Sequence, residues 1–433
     1  MSQTAEGLPR GIRRRDLVAL FINVTVGAGV FRLPSDVYKA AGSYSILAYL
    51  VCALAVGLIV LCFAEVSSRF TETGGPYLYG RDAFGPLPGF LIGWLMWLTR
   101  LAGLAFLCDV FLVNLEYFWP PATTVFWRAA VITAIVVSLT VINIVGLRES
   151  IVLSNIFTAG KLIPLILFVA IGLFFVHLSQ FSFTAKPSLG SFSNGVFILV
   201  FVFSGFEAVL INSGEIKDPQ RNIPFALITA LIIIALLFIS IQVVCIGTVA
   251  NLANSQRPLA DAAGGFIGSA GASIITAGAL ISVIGTLNAV FLGCTRLPFA
   301  MAEQKQLPQI LTATHQRFRT PYGAILVTSA LVLLLTLSRT FTYVLTLSVI
   351  TRIIIYISTC IALPVLRRRS NRKALFKTPT GDFVSVIAVA LCVWLLSSSQ
   401  RNDIRDVVIA AIAGLIFFFL SRVFRKGSQA SHL

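Results

Sequence analysis

Charge is scarce in this chain, and negative charge is scarcer still. Of 433 residues only 12% are Asp, Glu, Lys or Arg, with 17 acidic against 33 basic side chains. A mean hydropathy of +0.91 and 57% hydrophobic residues leave too little polar surface for an ordinary soluble domain. Histidine occurs three times, as His177, His315 and His432, at span ends, in loops or in the tail. The seven cysteines (Cys52, Cys62, Cys108, Cys245, Cys294, Cys360 and Cys392) all fall inside apolar runs, with no CxxC spacing and no neighbouring histidine. These shortages exclude a disulfide framework, a zinc site, and the constellations of hydrolases, kinases and metalloproteases. Buried inert thiols are expected. The sequence points to no enzyme, no cofactor and no metal.

What the chain has in abundance is long apolar runs. About twelve are long enough to cross a bilayer of about 30 Å. They lie near 16–42, 44–68, 86–115, 124–146, 150–176, 193–213, 224–249, 272–301, 322–338, 341–366, 382–399 and 405–424. The first continues through a charged, glycine-containing segment without a small-residue cleavage site, so it does not read as a signal peptide. Loops are short, and the polar ends, from Met1 to Pro9 and from Gly427 to Leu433, read as tails. After Gly74-Gly75-Pro76 a short helix lying on the membrane surface is expected. Pro219 and Pro224 predict a rigid connection after the sixth span.

The formal charge of +16 is spread over many loops, which argues against nucleic-acid binding. Arg10, Arg13, Arg14 and Arg15 precede the first span; Arg367, Arg368, Arg369, Arg372, Lys373 and Lys377 follow the tenth; Arg422, Arg425 and Lys426 follow the twelfth. With twelve spans these clusters fall on one side of the lipid bilayer, which predicts that both termini are cytoplasmic.

Two runs are interrupted. The first reads Thr25-Val26-Gly27-Ala28-Gly29-Val30-Phe31-Arg32, and the sixth reads Phe201-Val202-Phe203-Ser204-Gly205-Phe206-Glu207. Broken helices at corresponding places in two halves of a membrane protein point to a transport site. In hydrocarbon, irregular backbone persists only where protein buries it or it lines a cavity. A bland alternative is that the glycines only allow close helix packing.

Gly27-Ala28-Gly29-Val30-Phe31 with Pro34 resembles the first-span signature of the amino acid–polyamine–organocation superfamily of permeases. Ala64 to Tyr77, Phe203 to Glu207, Glu215 to Pro224, Arg296 to Pro308 and the segment around Lys161 are similar to that family too, in order, over residues of about 10–370. The resemblance implies an all-α membrane protein of about twelve transmembrane helices. Two inverted five-helix repeats, 16–178 and 190–366, would be followed by two extra helices over 382–424, with cytoplasmic tails 1–15 and 425–433. It also implies alternating access and a substrate bearing amino and carboxylate groups.

The residues fit that expectation physically. Amides freed at Gly27–Gly29 would receive a carboxylate at the positive end of the following half-helix. Carbonyls near Thr25 and Val26, and at the Phe201–Ser204 end, would receive an ammonium. Thr25, Val26, Gly27, Ala28, Gly29, Val30, Phe201, Phe203, Ser204, Gly205 and Phe206 are therefore the expected binding residues. By family position Phe201 is a lid and Phe206 a wall, which favours a neutral side chain.

Five charged residues are candidates for coupling or gating. Lys161 lies deep in the fifth span, too far in for simple snorkelling. In some members of the superfamily a lysine here stands where sodium sits in sodium-coupled relatives, and its protonation would couple to transport; the alternative is a static ion pair. Asp109 is expected to pair with Arg352 or Lys161, or to face substrate, while Arg100, on the opposite face of the same helix, should find partners on other helices. Glu207 suggests a gate or proton role, or a cap on its half-helix. Arg32 and Arg352 are the partners available to an acidic substrate.

The reading is a sodium-independent amino acid transporter, by proton symport or exchange, with neutral substrates favoured. A cationic amino acid or polyamine exchanger and a non-transporting amino acid sensor are the alternatives. An accessory subunit stays open, although no cysteine near an outer loop is available to tether one.

Overall fold

The computed structural model describes residues 10–184, 186–338, 342–369, 372–397, 405 and 407–418, without the side chains of Ala28, Phe201 and 342–349. The expected tails, and with them Arg422, Arg425 and Lys426, lie mostly outside the described residues.

The broken first segment comprises α1 (Arg14–Thr25), a 3-10 turn over Ala28–Phe31, and α2 (Leu33–Ala41). It is followed by α3 (Ser45–Ser67), α4 (Pro76–Phe84), α5 (Pro86–Leu115), α6 (Val125–Val145) and α7 (Leu147–Gly172). The second broken segment pairs α8 (Leu189–Phe203) with α9 (Glu207–Leu210). The remainder is α10 (Pro219–Thr248), α11 (Pro258–Ile267), α12 (Ser269–Glu303), α13 (Tyr322–Leu337), α14 (Thr342–Arg369), α15 (Gly381–Ser397) and α16 (Val407–Phe418). Among the described residues 7 helices are long and apolar enough to cross a membrane, α2 and α3 counting as one stretch. α8, α13, α15 and α16 are shorter apolar helices. The chain is an all-α membrane protein with about twelve spans, a form in which each segment satisfies its own backbone in hydrocarbon. All seven cysteines are free and buried, as their placement in apolar runs implied.

Two expectations change. α7 starts at Leu147, and α10 starts at Pro219 rather than at Pro224, because proline is well tolerated at the first position of a helix. α4 is packed into the helix bundle by its aromatic side. Tyr77, Leu78 and Tyr79 are buried, and α4 packs against α5 and α14.

One end of the molecule is tightly closed. Ile12 pairs with Ile216 in an isolated bridge, its N–H donating to the Glu215 carbonyl at 3.0 Å and its carbonyl accepting from Lys217 at 2.9 Å. The Gly74 N–H donates to the Ile211 carbonyl at 2.8 Å. Arg296 Nε reaches Glu215 Oε1 at 3.2 Å, with both side chains buried. Nearby, buried Glu65 of α3 accepts two bonds from Arg367 of α14, at 2.7 and 2.6 Å, and one from the Thr378 N–H at 2.7 Å. These bonds tie α1, α3, α12, α14 and the segment after α9 together at one level.

Candidate functional site

The two breaks meet at the centre of the helix packing. After Thr25 the chain leaves the α-helical course at Val26 (φ −78°, ψ 76°) and Gly27, and the Gly27 N–H turns back to the Thr25 carbonyl at 2.9 Å. The second break turns at Gly205 with φ +112°, a conformation that only glycine adopts without strain. A Cβ at Gly205 would lie 2.9 Å from Val24 Cγ1, so the same glycine lets the breaks touch. Gly285 performs a similar service for α12, where a Cβ would lie 2.8 Å from Asn23 Oδ1.

A cavity of about 440 Å³ lies against this junction. Its wall includes Thr25, Gly27, Gly29 and Arg32 from the first break and Val202, Ser204 and Gly205 from the second; Arg100, Thr286 and Arg352 are among its other polar residues. It reaches the surface beside exposed Arg32, Gln256 and Arg257, at the end of the molecule opposite the Ile12–Ile216 closure. Arg32 holds Gln256 by a short hydrogen bond and Asp36 at 3.5 Å, while Arg257 lies over the Tyr117 ring.

Lys161 does not line the cavity; it stands one side chain behind it. The residue is fully buried, and its Nζ donates to the carbonyls of Asn23 (2.9 Å), Val26 (2.8 Å) and Ser282 (3.1 Å), and to Thr286 Oγ1 (3.2 Å). Four acceptors surround three N–H donors, and all four are neutral. The alternative of a static ion pair therefore does not hold among the described residues. The same face of α7 grips α1 along its length. Asn155 donates to Asp16, Thr158 to the Ala19 carbonyl, and Ser154 accepts from Asn23 at 2.7 Å. Ser282 and Thr286 hydroxyls add bonds to the Val26 and Asn23 carbonyls at 3.0 and 3.1 Å. The carbonyls at the end of α1 are thus largely taken by protein donors.

Glu207, fully buried, is the hub of the second break. Oε1 accepts from Arg100 Nη2 at 2.5 Å and lies 3.6 Å from Arg352 Nε. Oε2 accepts from the Tyr356 hydroxyl at 3.0 Å and the Gly205 N–H at 2.9 Å. Arg352 Nη1 also donates to Ser204 Oγ at 2.5 Å. Arg100 thus has its partner on another helix, while Glu207 bonds the Gly205 N–H of the turn and, among the described residues, makes no cap bond to its own half-helix.

Several expected placements are corrected. Asp109 meets neither Arg352 nor Lys161 and does not line the cavity. Arg128 of α6 reaches its Oδ1 at 2.8 Å and also donates to the Thr336 carbonyl, so the pair ties three helices. Phe206 does not line this cavity: its ring stacks on Tyr356 and meets Phe63 edge-on. Phe203 turns to Phe238, leaving Val202 as the described side chain of α8 that lines the cavity. Val26 and Val30 are buried and contribute no cavity surface. The side chains of Ala28 and Phe201, the latter the expected lid, lie outside the described residues. The amide assigned to a ligand at Gly27 is used by the Thr25 carbonyl, and the next half-helix begins only after the 3-10 turn, although Gly27 and Gly29 both line the cavity.

Comparison with known proteins bears on this geometry. A family model described as amino acid permease matches residues 13–418. A serine/threonine exchanger of Bacillus subtilis is 30% identical over 428 residues, covering 94% of this chain and 95% of the relative. A methylthioribose transporter of the same organism is 27% identical, over 96% and 95% of the two chains. A branched-chain amino acid permease, also of Bacillus subtilis, is 25% identical, over 98% and 96%.

Proposed function

Because this chain belongs to the amino acid permease family, we propose that it moves amino acids by alternating access without sodium, as a proton-coupled symporter or an exchanger. That it is an integral membrane transporter rather than an enzyme follows from the family and from its transporter relatives. The observation that carries the finer reading is the meeting of two helix breaks at one cavity, open at one end and sealed at the other. A substrate held there would be exposed to the two sides in turn as the seal at Ile12, Ile216 and Glu215 opens and the mouth at Arg32 and Gln256 closes.

Sodium independence is supported by Lys161. Its ammonium occupies the carbonyl cluster where α1 ends, so a fixed cation already neutralises that helix terminus. Proton coupling would act through the same amine, which bonds both the end of α1 and α12. The dense Arg and Lys clusters beside the sealed end support cytoplasmic termini, in the plasma or inner membrane, with the cavity open outward. Two inverted repeats, 16–178 and 190–366, each opening with a broken helix, supply the framework for the rocking motion.

Among side-chain classes, the cationic one loses support because the charged residues lining the cavity are arginines. The preference for neutral side chains rested on Phe201 and Phe206 as walls, and Phe206 packs elsewhere. Uptake of a panel of labelled amino acids into proteoliposomes containing only this protein tests the proposal. Accumulation of at least one is expected; no uptake of any, inward or by exchange, would overturn it.

A further inference from the structure

We propose that this cavity takes amino acids whose side chain is negatively charged, a second carboxylate being the simplest case. The proposal rests on the reading of the cavity as an amino acid site and narrows that reading to a substrate class. The charged residues lining the cavity are all arginines: Arg32 and Arg257 at the mouth, Arg100 and Arg352 beside the second break. No acidic residue lines it among the described residues.

Charge balance at depth points the same way. Glu207 is one carboxylate facing two guanidinium groups, at 2.5 Å from Arg100 and 3.6 Å from Arg352. The Lys161 amine, one side chain behind the cavity, has only neutral partners among the described residues. Among the described residues the guanidinium groups at the second break therefore outnumber the carboxylates, and hydrocarbon disfavours such a surplus. A zwitterion leaves that surplus as it is. A substrate of charge −1 lowers it.

Polar groups remain unsatisfied beside the second break. Arg100 and Thr99 of α5 line the cavity, and their buried Nε and Oγ1 atoms make no hydrogen bond among the described residues. A guanidinium edge offers carboxylates a planar, paired set of N–H groups, which ammonium and hydroxyl groups do not. Apolar surface from Val202, Val283 and Val290 suits the methylene stem between the two carboxylates. At the mouth, Arg32 and Arg257 extend the positive field toward solvent and would speed the approach of anions. The named relatives carry substrates as different as serine and methylthioribose, so 25–30% identity leaves room for such a difference.

Pairs of equal size that differ in charge provide the test. Proteoliposomes of the intact protein are loaded with unlabelled amino acids and offered labelled glutamate against glutamine, and aspartate against asparagine. We expect the acid of at least one pair to exchange about 30-fold or more faster than its amide at low concentration, as loss of one partner of a buried charge pair implies. Arg352→Gln should abolish that preference. Thermal unfolding of the unaltered protein with each of the four ligands reads the same preference without any substitution, with a larger upward shift for the acid. Equal exchange and equal stabilisation by acid and amide would overturn the inference while leaving amino acid transport standing. A preference for acids that survives in folded Arg352→Gln and Arg100→Gln proteins would overturn its assignment to these arginines. Failure of every amino acid in a wider panel would remove the underlying reading, and this inference with it.

Discussion

Lys161 Nζ lies 2.8 Å from the Val26 carbonyl, so the cation carried by α7 ends on the residue where α1 stops being a helix. The same amine reaches Ser282 and Thr286 on α12. Three segments thus share one charged group, and any motion of α1 against α7 and α12 must strain or break its bonds. Under the alternating access proposed above, that contact would have a role beyond packing.

Removing the ammonium should therefore impair transport more than folding. Lys161→Met keeps the bulk and loses the donors, while Ser282 and Thr286 continue to bond the two carbonyls. Uptake is expected to fall at least about tenfold, the effect of losing one hydrogen bond to a charged group, ~1.5 kcal/mol. Initial-rate uptake beside a thermal-unfolding curve checks this. A folded variant, Lys161→Met or Lys161→Ala, with full uptake would remove the coupling role.

The Asp109–Arg128 pair behaves differently. It ties α5 to α6 and, through the Thr336 carbonyl, to α13, away from the cavity wall. Asp109→Asn leaves a mostly buried guanidinium without its counter-charge and should lower stability by about 1–3 kcal/mol. The KM for substrate should stay within about twofold, since distant sites act independently. Thermal unfolding and concentration-dependent uptake separate the two effects, and a raised KM at unchanged stability would place Asp109 in the substrate path.

At the sealed end, Glu215 neutralises Arg296. Glu215→Gln removes that charge pairing and should favour the state in which this end is open. Because all seven native cysteines are buried, an Ile216→Cys background offers a reporter with little competing signal. Labelling of that cysteine by a water-soluble maleimide is expected to quicken several-fold with Glu215→Gln, in proportion to the shift in population. Unchanged labelling would show that the contact packs the end without gating it.

Much of this arrangement could be read in the sequence, and the remainder marks where one-dimensional reasoning stops. Breaks at Gly27–Gly29 and Ser204–Gly205 stand out because glycine and serine interrupt apolar runs, and an isolated Lys161 stands out because the membrane makes such a charge expensive. Partners are another matter. Nothing local in the sequence joins Arg100 to Glu207 or Arg128 to Asp109, residues 107 and 19 positions apart. Phe203 and Phe206 flank a turn whose direction is set by Gly205 and by the approach of Val24, so which ring faces the cavity is decided by tertiary packing. Asn23, Ser282 and Thr286 carry a weaker signal, since polar residues inside apolar runs say only that partners lie on other helices. The aromatic residues of α4 suit an interface by composition, and only the packing shows that they are buried and that α4 meets α5 and α14.

The most direct test of the central claim, that the tethered ammonium of Lys161 serves where a sodium ion would otherwise be needed, is amino acid uptake by proteoliposomes with sodium fully replaced by choline. Uptake at the same rate with and without sodium is the predicted result. A rate that rises with sodium concentration and vanishes in choline would contradict it.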